Sequence, residues 1–253
     1  GILAEDLDRD GHLDLFVTNF MDETNTLYRK VGDFGMFADA TQTFGLAQPG
    51  LRMLGFGTQT IDAELDGLPD IVVSNGHVDS YPDKKVPYRM HPQFFHNIKG
   101  VRFQEAKAAT LGPYFVGQYL GRSMAKLDWN QDGAEDLVIS HLDTPVALLT
   151  NTTPGRGHFI TLRLIATTGA RDASGCVVTV KSPQGILVRQ LTIGGGYQAS
   201  NECRMVFGLG PDTNVDEITV AWISGAIDRF HDVLADREGF IVEGRNTVYS
   251  CSR

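Results

Sequence analysis

Short apolar runs broken by turn residues cover the chain, and apolar positions at the helical period are weak throughout. Three runs stand out because each follows the same kind of acidic loop. Leu15-Phe-Val-Thr follows Asp6-Leu-Asp-Arg-Asp-Gly-His-Leu-Asp, and Ile71-Val-Val-Ser follows Asp62-Ala-Glu-Leu-Asp-Gly-Leu-Pro-Asp. Leu137-Val-Ile-Ser follows Asp128-Trp-Asn-Gln-Asp-Gly-Ala-Glu-Asp. The loops align without gaps, at spacings of 56 and 66 residues. A strand-like stretch precedes each loop, and others lie between them at Thr26-Leu-Tyr-Arg, Met36-Phe-Ala-Asp, Gln93-Phe-Phe-His and Arg102-Phe-Gln-Glu. Each unit therefore reads as about four short strands, with the acidic loop joining the first two. Such units, repeated, predict β-propeller blades. Residues 1–151 supply two blades and part of a third.

The pattern changes after Asn151-Thr-Thr-Pro-Gly-Arg-Gly, a turn-rich stretch that marks a domain boundary. Beyond it, strand-like runs recur at residues 159–165, 176–181, 187–193, 203–207, 217–223, 228–233 and 240–243. Alternation such as Ile218-Thr-Val-Ala-Trp-Ile suits strands with one buried face. About seven strands with Gly- and Asp-rich turns predict a β-sandwich over 158–245, followed by a C-terminal tail at 246–253. The whole chain reads as all-β: a partial β-propeller and then a sandwich.

With 253 residues, 42% of them hydrophobic and 21% charged, the chain can bury a proper core. No apolar run approaches the ~18 residues of a transmembrane helix. The net charge of -9 arises entirely in the first 150 residues, where 21 acids face 12 bases. An acidic first part disfavours nucleic acid and anionic membranes as partners and favours bound cations. The start, Gly1-Ile-Leu-Ala-Glu-Asp, has no initiator Met and no basic-then-apolar leader, which suits a processed end or an internal cut. Closed propellers need roughly four to eight blades, so the chain is expected to belong to a longer protein or a larger complex. Cys176, Cys203 and Cys251 form no CxxC or zinc-like grouping. One disulfide among them, in any of three pairings, and free thiols packed in the core are the two readings.

The acidic loops carry the chemistry. Each reads D-x-[DEN]-x-D-G-x-x-D. Oxygens at alternate positions can curl around one hard cation, and the Gly permits the turn that closes the curl. Calcium takes roughly six to eight such oxygens, whereas magnesium prefers fewer protein ligands and a stricter octahedron. EF-hand loops begin alike but need Glu at position twelve, where Val17, Val73 and Ile139 stand here. The last carboxylate falls instead at position nine, at the mouth of a strand. The candidate side-chain ligands are Asp6, Asp8, Asp10 and Asp14; Asp62, Glu64, Asp66 and Asp70; and Asp128, Asn130, Asp132 and Asp136. One such loop could be an Asx-rich turn without metal. Three in register crowd eleven carboxylates together, which points to up to three Ca²⁺ ions.

The loops resemble FG-GAP/VCBS repeats, the calcium-binding blades also found in integrin α-subunit propellers. By analogy with such loops, carbonyl ligands come from His12, Leu68 and Ala134. The second part resembles the ASPIC/UnbV domain through Arg171-Asp-Ala-Ser-Gly-Cys-Val-Val-Thr-Val, Gly195-Gly-Tyr-Gln-Ala-Ser-Asn, Phe207-Gly-Leu-Gly, Val215-Asp-Glu-Ile-Thr-Val-Ala-Trp and Ser224-Gly. The domain order is similar to that of the cartilage acidic protein family and its bacterial secreted relatives. Three departures are visible: Glu64 in place of Asp or Asn, Cys176 in place of a small residue, and Ile223 in place of Pro. The resemblance implies a secreted, periplasmic or cell-surface protein, calcium-dependent and non-catalytic, that binds or scaffolds a protein or glycan partner. An accessory module of a carbohydrate-active enzyme and a structural subunit of a larger cell-surface or membrane-associated complex are the alternatives.

Other chemistry is thin. GxSxG, HExxH and phosphate-loop sequences are absent. His77, His91 and His96 read as surface histidines of a Tyr- and Pro-rich insertion or as a transition-metal site. Tyr81, Tyr88, Tyr114 and Tyr119 flank that insertion and offer rings to a glycan, while Phe94, Phe95 and Phe103 read as blade core. Because the acidic pattern ends before residue 151, calcium is expected to hold residues 1–150 together and to matter little to the second part.

Overall fold

The computed structural model of the chain describes residues 1–32, 35–81, 83 and 86–250, and its regular structure is nearly all β. The first sheet runs in order through β1 (Ile2–Glu5), β2 (Asp14–Val17), β3 (Thr26–Val31) and β4 (Met36–Asp39). The second runs through β5 (Gly55–Ile61), β6 (Asp70–Asn75), β7 (Gln93–Ile98) and β8 (Arg102–Glu105). The third holds β9 (Gly121–Leu127), β10 (Asp136–His141) and β11 (Ala147–Leu149). All three are antiparallel meanders, and each acidic loop joins the first two strands of its sheet. Helices α1 (Ala47–Gly50) and α2 (Pro113–Val116) are single turns in the connections.

The middle sheet explains why the runs after the loops are so apolar. Ile71 and Val73 of β6 pack with Leu3, Phe16 and Leu27 of the first sheet. Val72, on the other side, packs with Met124, Leu137 and Ile139 of the third. A blade between two blades buries both faces, so alternation gives way to a continuous apolar run. Phe95 and Phe103 join the first seam and Phe94 the second, all three as blade core. The first blade covers only one face. Cross-strand register sets Ile2, Ala4, Leu15, Val17, Tyr28 and Phe37 on its outward side, where Ile2, Tyr28 and Phe37 are 49%, 39% and 43% exposed.

Among the described residues, the second part contains eight strands. They are β12 (His158–Ile165), β13 (Val177–Ser182), β14 (Gly185–Gln190), β15 (Met205–Gly210), β16 (Asn214–Ala221), β17 (Ile227–Leu234), β18 (Arg237–Val242) and β19 (Val248–Ser250). They form two sheets, β15-β12-β18-β19 and β14-β13-β16-β17. Ile160, Leu162 and Phe207 from one meet Val178, Val180 and Ile218 from the other in a single core. β14 begins earlier than the hydrophobic run suggests, because Ser182 pairs with Gly185 across a two-residue turn and Gly185 takes a φ of 127°. Residues 246–250 are not a free tail: β19 pairs with β18, and Val248 packs against the core. Cys176 is buried and Cys203 exposed, both as free thiols. Cys251 lies outside the described residues.

The sandwich lies against the inner edges of the blades. Ile2 of β1 exchanges backbone hydrogen bonds with Gly196, at 3.2 and 2.8 Å. Lys126 of β9 donates to the Asn201 side chain at 3.0 Å and accepts from the Glu202 amide at 3.1 Å. Asn201 also donates to Gln59 of β5 at 3.1 Å.

Candidate metal centre

The three loops share one backbone. Their fourth residues, Arg9, Leu65 and Gln131, take φ values of 62°, 56° and 58°, and their sixth, Gly11, Gly67 and Gly133, take 86°, 83° and 89°. Glycine meets no Cβ penalty at the sixth position. The left-handed fourth residue carries a side chain in every loop and was not signalled by the sequence.

The carboxylate at position one is held by the amides of positions five and six. Asp10 and Gly11 donate to Asp6 at 3.1 and 3.0 Å, and Asp66 and Gly67 to Asp62 at 2.9 and 2.8 Å. Asp132 and Gly133 donate to Asp128, both at 3.0 Å. The carboxylate at position nine ties the loop to the third strand of its blade. Asp14 accepts from Leu7 and Lys30 at 3.2 and 2.9 Å, and Asp70 from Ala63 and Asn97 at 3.3 and 2.7 Å. Asp136 accepts from Trp129 and Asn151 at 3.2 and 2.7 Å. At position seven, the amides of His12, Leu68 and Ala134 donate to Asp10, Asp66 and Asp132 at 2.9, 2.9 and 3.0 Å. The peptide that precedes each expected carbonyl ligand is thus bonded to the position-five carboxylate.

Around this shared frame the loops differ in charge. In the first, oxygens of Asp6, Asp8 and Asp14 all lie within 4.8 Å of one another. Burial pushes Asp6 up to about 7 and Asp14 up to about 6, and neighbouring carboxylates add to both shifts. Arg29 on β3 pairs with Asp8 and, at 3.1 Å, with Asp10. In the second loop, Glu64, Asp70 and His96 are the groups that converge. Burial pushes Asp62 up to about 7 against the pull of Arg189. His96 belongs to β7 and is held up to about 9, chiefly by its hydrogen bond to Asp70. In the third, Arg156 reaches Asp132 at 2.9 Å and Arg204 reaches Asp128 at 3.3 Å, while Asn130 accepts from the Asp132 amide at 3.2 Å.

The loops also form much of the seam with the sandwich. Gly157 donates to the Glu64 carbonyl and Gly210 to the Leu65 carbonyl, each at 2.8 Å. A Cβ on Gly208 would stand 2.1 Å from an Asp62 carboxylate oxygen, and one on Gly133 would stand 2.0 Å from the Phe159 ring. Arg189 of β14 lies 3.7 Å from both Glu5 and Glu135. Two position-one aspartates thus meet the sandwich: Asp62 lies against Gly208, and Asp128 pairs with Arg204.

Other candidates disperse. His77 is buried, with edge contacts to Phe20 and Tyr81. Tyr114 and Tyr119 stack on one another at 4.6 Å, and the Tyr114 hydroxyl meets His141 at 2.8 Å, so these rings are engaged with each other rather than set out as a glycan platform. The sequence reading missed Arg29, Arg156, Arg189 and Arg204 as partners of the acidic groups. Arg29, His96 and Thr150 each precede the residue that donates to the position-nine carboxylate, an equivalence that only the sheet register reveals.

Comparison with known families matches two segments: an FG-GAP-like repeat over residues 6–73 and an ASPIC and UnbV domain over 166–248. The chain therefore carries an FG-GAP-like repeat followed by an ASPIC/UnbV domain, on an all-β fold of blades and sandwich. The first match spans two complete acidic loops. No curated protein matches the chain. Among solved structures, a protein described as a "putative cell adhesion protein" from Bacteroides ovatus is similar over 90% of this chain and 77% of that one, with 13% identity and a TM-score of 0.27.

Proposed function

We propose that the chain is part of an extracytoplasmic, non-catalytic binding or scaffold protein whose acidic loops are stabilised by calcium. The observation that carries this reading is the threefold recurrence of one loop backbone with the same amide-to-carboxylate bonding at positions one, five and nine, joined in the first loop by the convergence of Asp6, Asp8 and Asp14. The donors of the first and third loops are all oxygen, which suits a hard cation. Asp6, Asp8, Asp10 and Asp14 would hold one ion and Asp128, Asn130, Asp132 and Asp136 another, with the carbonyls of His12 and Ala134 on the same turns. A bound calcium supplies the charge that buried, mutually repelling carboxylates lack. The side chains then fix the turn between the first two strands and, through position nine, the third strand.

The FG-GAP and ASPIC/UnbV matches support a secreted or cell-surface setting, and among the described residues no helix is long and apolar enough to cross a membrane. The outward face of the first blade favours the reading of a larger assembly. Its alternating apolar residues repeat the pattern that the middle blade buries, so we assign its occupant as a further blade of the same propeller. Calcium titration of the full chain by calorimetry, with Asp14→Asn and Asp136→Asn as variants, tests the metal reading. The expected result is calcium binding that each variant reduces by one ion. No heat and no bound calcium at millimolar concentration would refute it.

A further inference from the structure

The second acidic loop departs from its two counterparts at positions that meet in space. At position three it carries Glu64, one methylene longer than Asp8 or Asn130. At the position equivalent to Arg29 of β3 in the first blade and to Thr150, just beyond β11, in the third, it meets His96 of β7. A metal-binding nitrogen therefore stands at this position in the second loop and in neither of the others. Its Nδ1 lies 3.1 Å from Asp70 Oδ1 and 3.7 Å from Glu64 Oε1. All three ligand atoms fall within 4.8 Å of one another. Donors bound at about 2.1 Å to one ion, at right to tetrahedral angles, stand ~3.0–3.4 Å apart. The His96–Asp70 pair already has that spacing, and the 41% exposed Glu64 side chain is the one that would move to close the triad.

Ligand chemistry separates this site from the others. Calcium takes oxygen donors, whereas an imidazole nitrogen suits zinc and its first-row neighbours. Asp62, bonded to the Asp66 and Gly67 amides as its counterparts are in the other loops, is buried and pressed against Gly208. Glu64 and His96, by contrast, are 41% and 38% exposed. They line a cleft of ≈ 620 Å³ between the second and third blades, which Phe94, Phe115, Leu111 and Leu149 also line. Three protein ligands beside an open cleft leave coordination positions free for water or a ligand group.

We propose that Glu64, Asp70 and His96 form a binding site for a divalent first-row transition metal of the zinc class, distinct in metal from the all-oxygen loops that start at Asp6 and Asp128. The site shares the loop fold with the calcium reading but not its cation, so failure of calcium to bind the other two loops leaves it standing. The test is Zn²⁺ titration of the full chain in excess Ca²⁺, with His96→Asn and, as a control, His231→Asn on exposed β17. One zinc ion should bind per chain. His96→Asn should weaken it by about tenfold or more, since even outer partners of metal ligands cost that much, and His231→Asn should leave it unchanged. A second measurement needs no variant: in the chain with ¹⁵N-labelled histidine, Zn²⁺ should shift the His96 ring nitrogens before those of the other six histidines. Zinc displaced by calcium, affinity unchanged in a folded His96→Asn variant, or shifts that begin at another histidine would each overturn the proposal.

Discussion

Asp6 and Asp14 titrate where few aspartates do, because burial and neighbouring carboxylates disfavour their charged forms. Their folded values, about 7 and about 6, lie above the ordinary 3.8. The folded chain without metal therefore holds more protons than the unfolded chain between those limits, and its stability falls as pH rises through them. His96 extends the decline, since stability tied to its charged form is lost between its ordinary 6.5 and about 9. Melting in chelator should thus occur at lower temperature near pH 7.5 than near pH 5. The increment given by calcium should grow across the same range, because the ion binds ionised carboxylates. A melting temperature in chelator that rises from pH 5 to pH 7.5 would contradict this. Gly208 supplies a steric test. Its Cβ would meet Asp62 and, at 2.5 Å, the Leu65 backbone, neither of which can swing away. Gly208→Ala should cost about 1–3 kcal/mol by overpacking, read by urea unfolding.

Within each blade, the acidic loop and the third strand act as one unit through the position-nine carboxylate. The loop half of that unit is legible in the sequence, because Asp, Gly and Asp at fixed spacing encode the turn locally. The strand half is not, because it depends on register across connections of very different length. Eight residues separate β2 from β3, but seventeen separate β6 from β7, so Arg29 and His96 align only once the sheets are known. Long-range partners were hidden for the same reason: Arg189 and Arg204 come from another domain. Removing Arg189, which is 10% exposed at its side chain, takes from Glu5 the cation it is paired with and leaves Glu135 with Lys126 alone. Arg189→Met should destabilise the chain by about 3–5 kcal/mol. Calcium should recover part of the loss, since Asp62 and Asp6 also lose a neighbouring positive charge. Equal denaturant midpoints for the two proteins in chelator would count against the seam described here.

For the molecule as a whole, the all-β class, the blades and the sandwich could be read from alternation, repeats and turns, since these are local patterns. How the two parts meet could not, because glycines such as Gly133 and Gly208 look like ordinary turn or strand residues until a ring or a carboxylate is seen against them. On the proposed calcium reading, that seam would make metal loss a matter for both parts. Calcium held only by the folded state would add about 2.7 kcal/mol per site at a hundredfold excess over Kd, and the loops proposed to hold it also carry sandwich contacts. The most direct measurement is amide hydrogen exchange of the full chain in calcium and in chelator. Chelation should release protection at residues 6–14 and 128–136, and also at Arg156, Phe159 and Arg204, which face the third loop, while β17 and β19 stay unchanged. Equal protection of the first and third loops in both conditions would contradict the account at its centre.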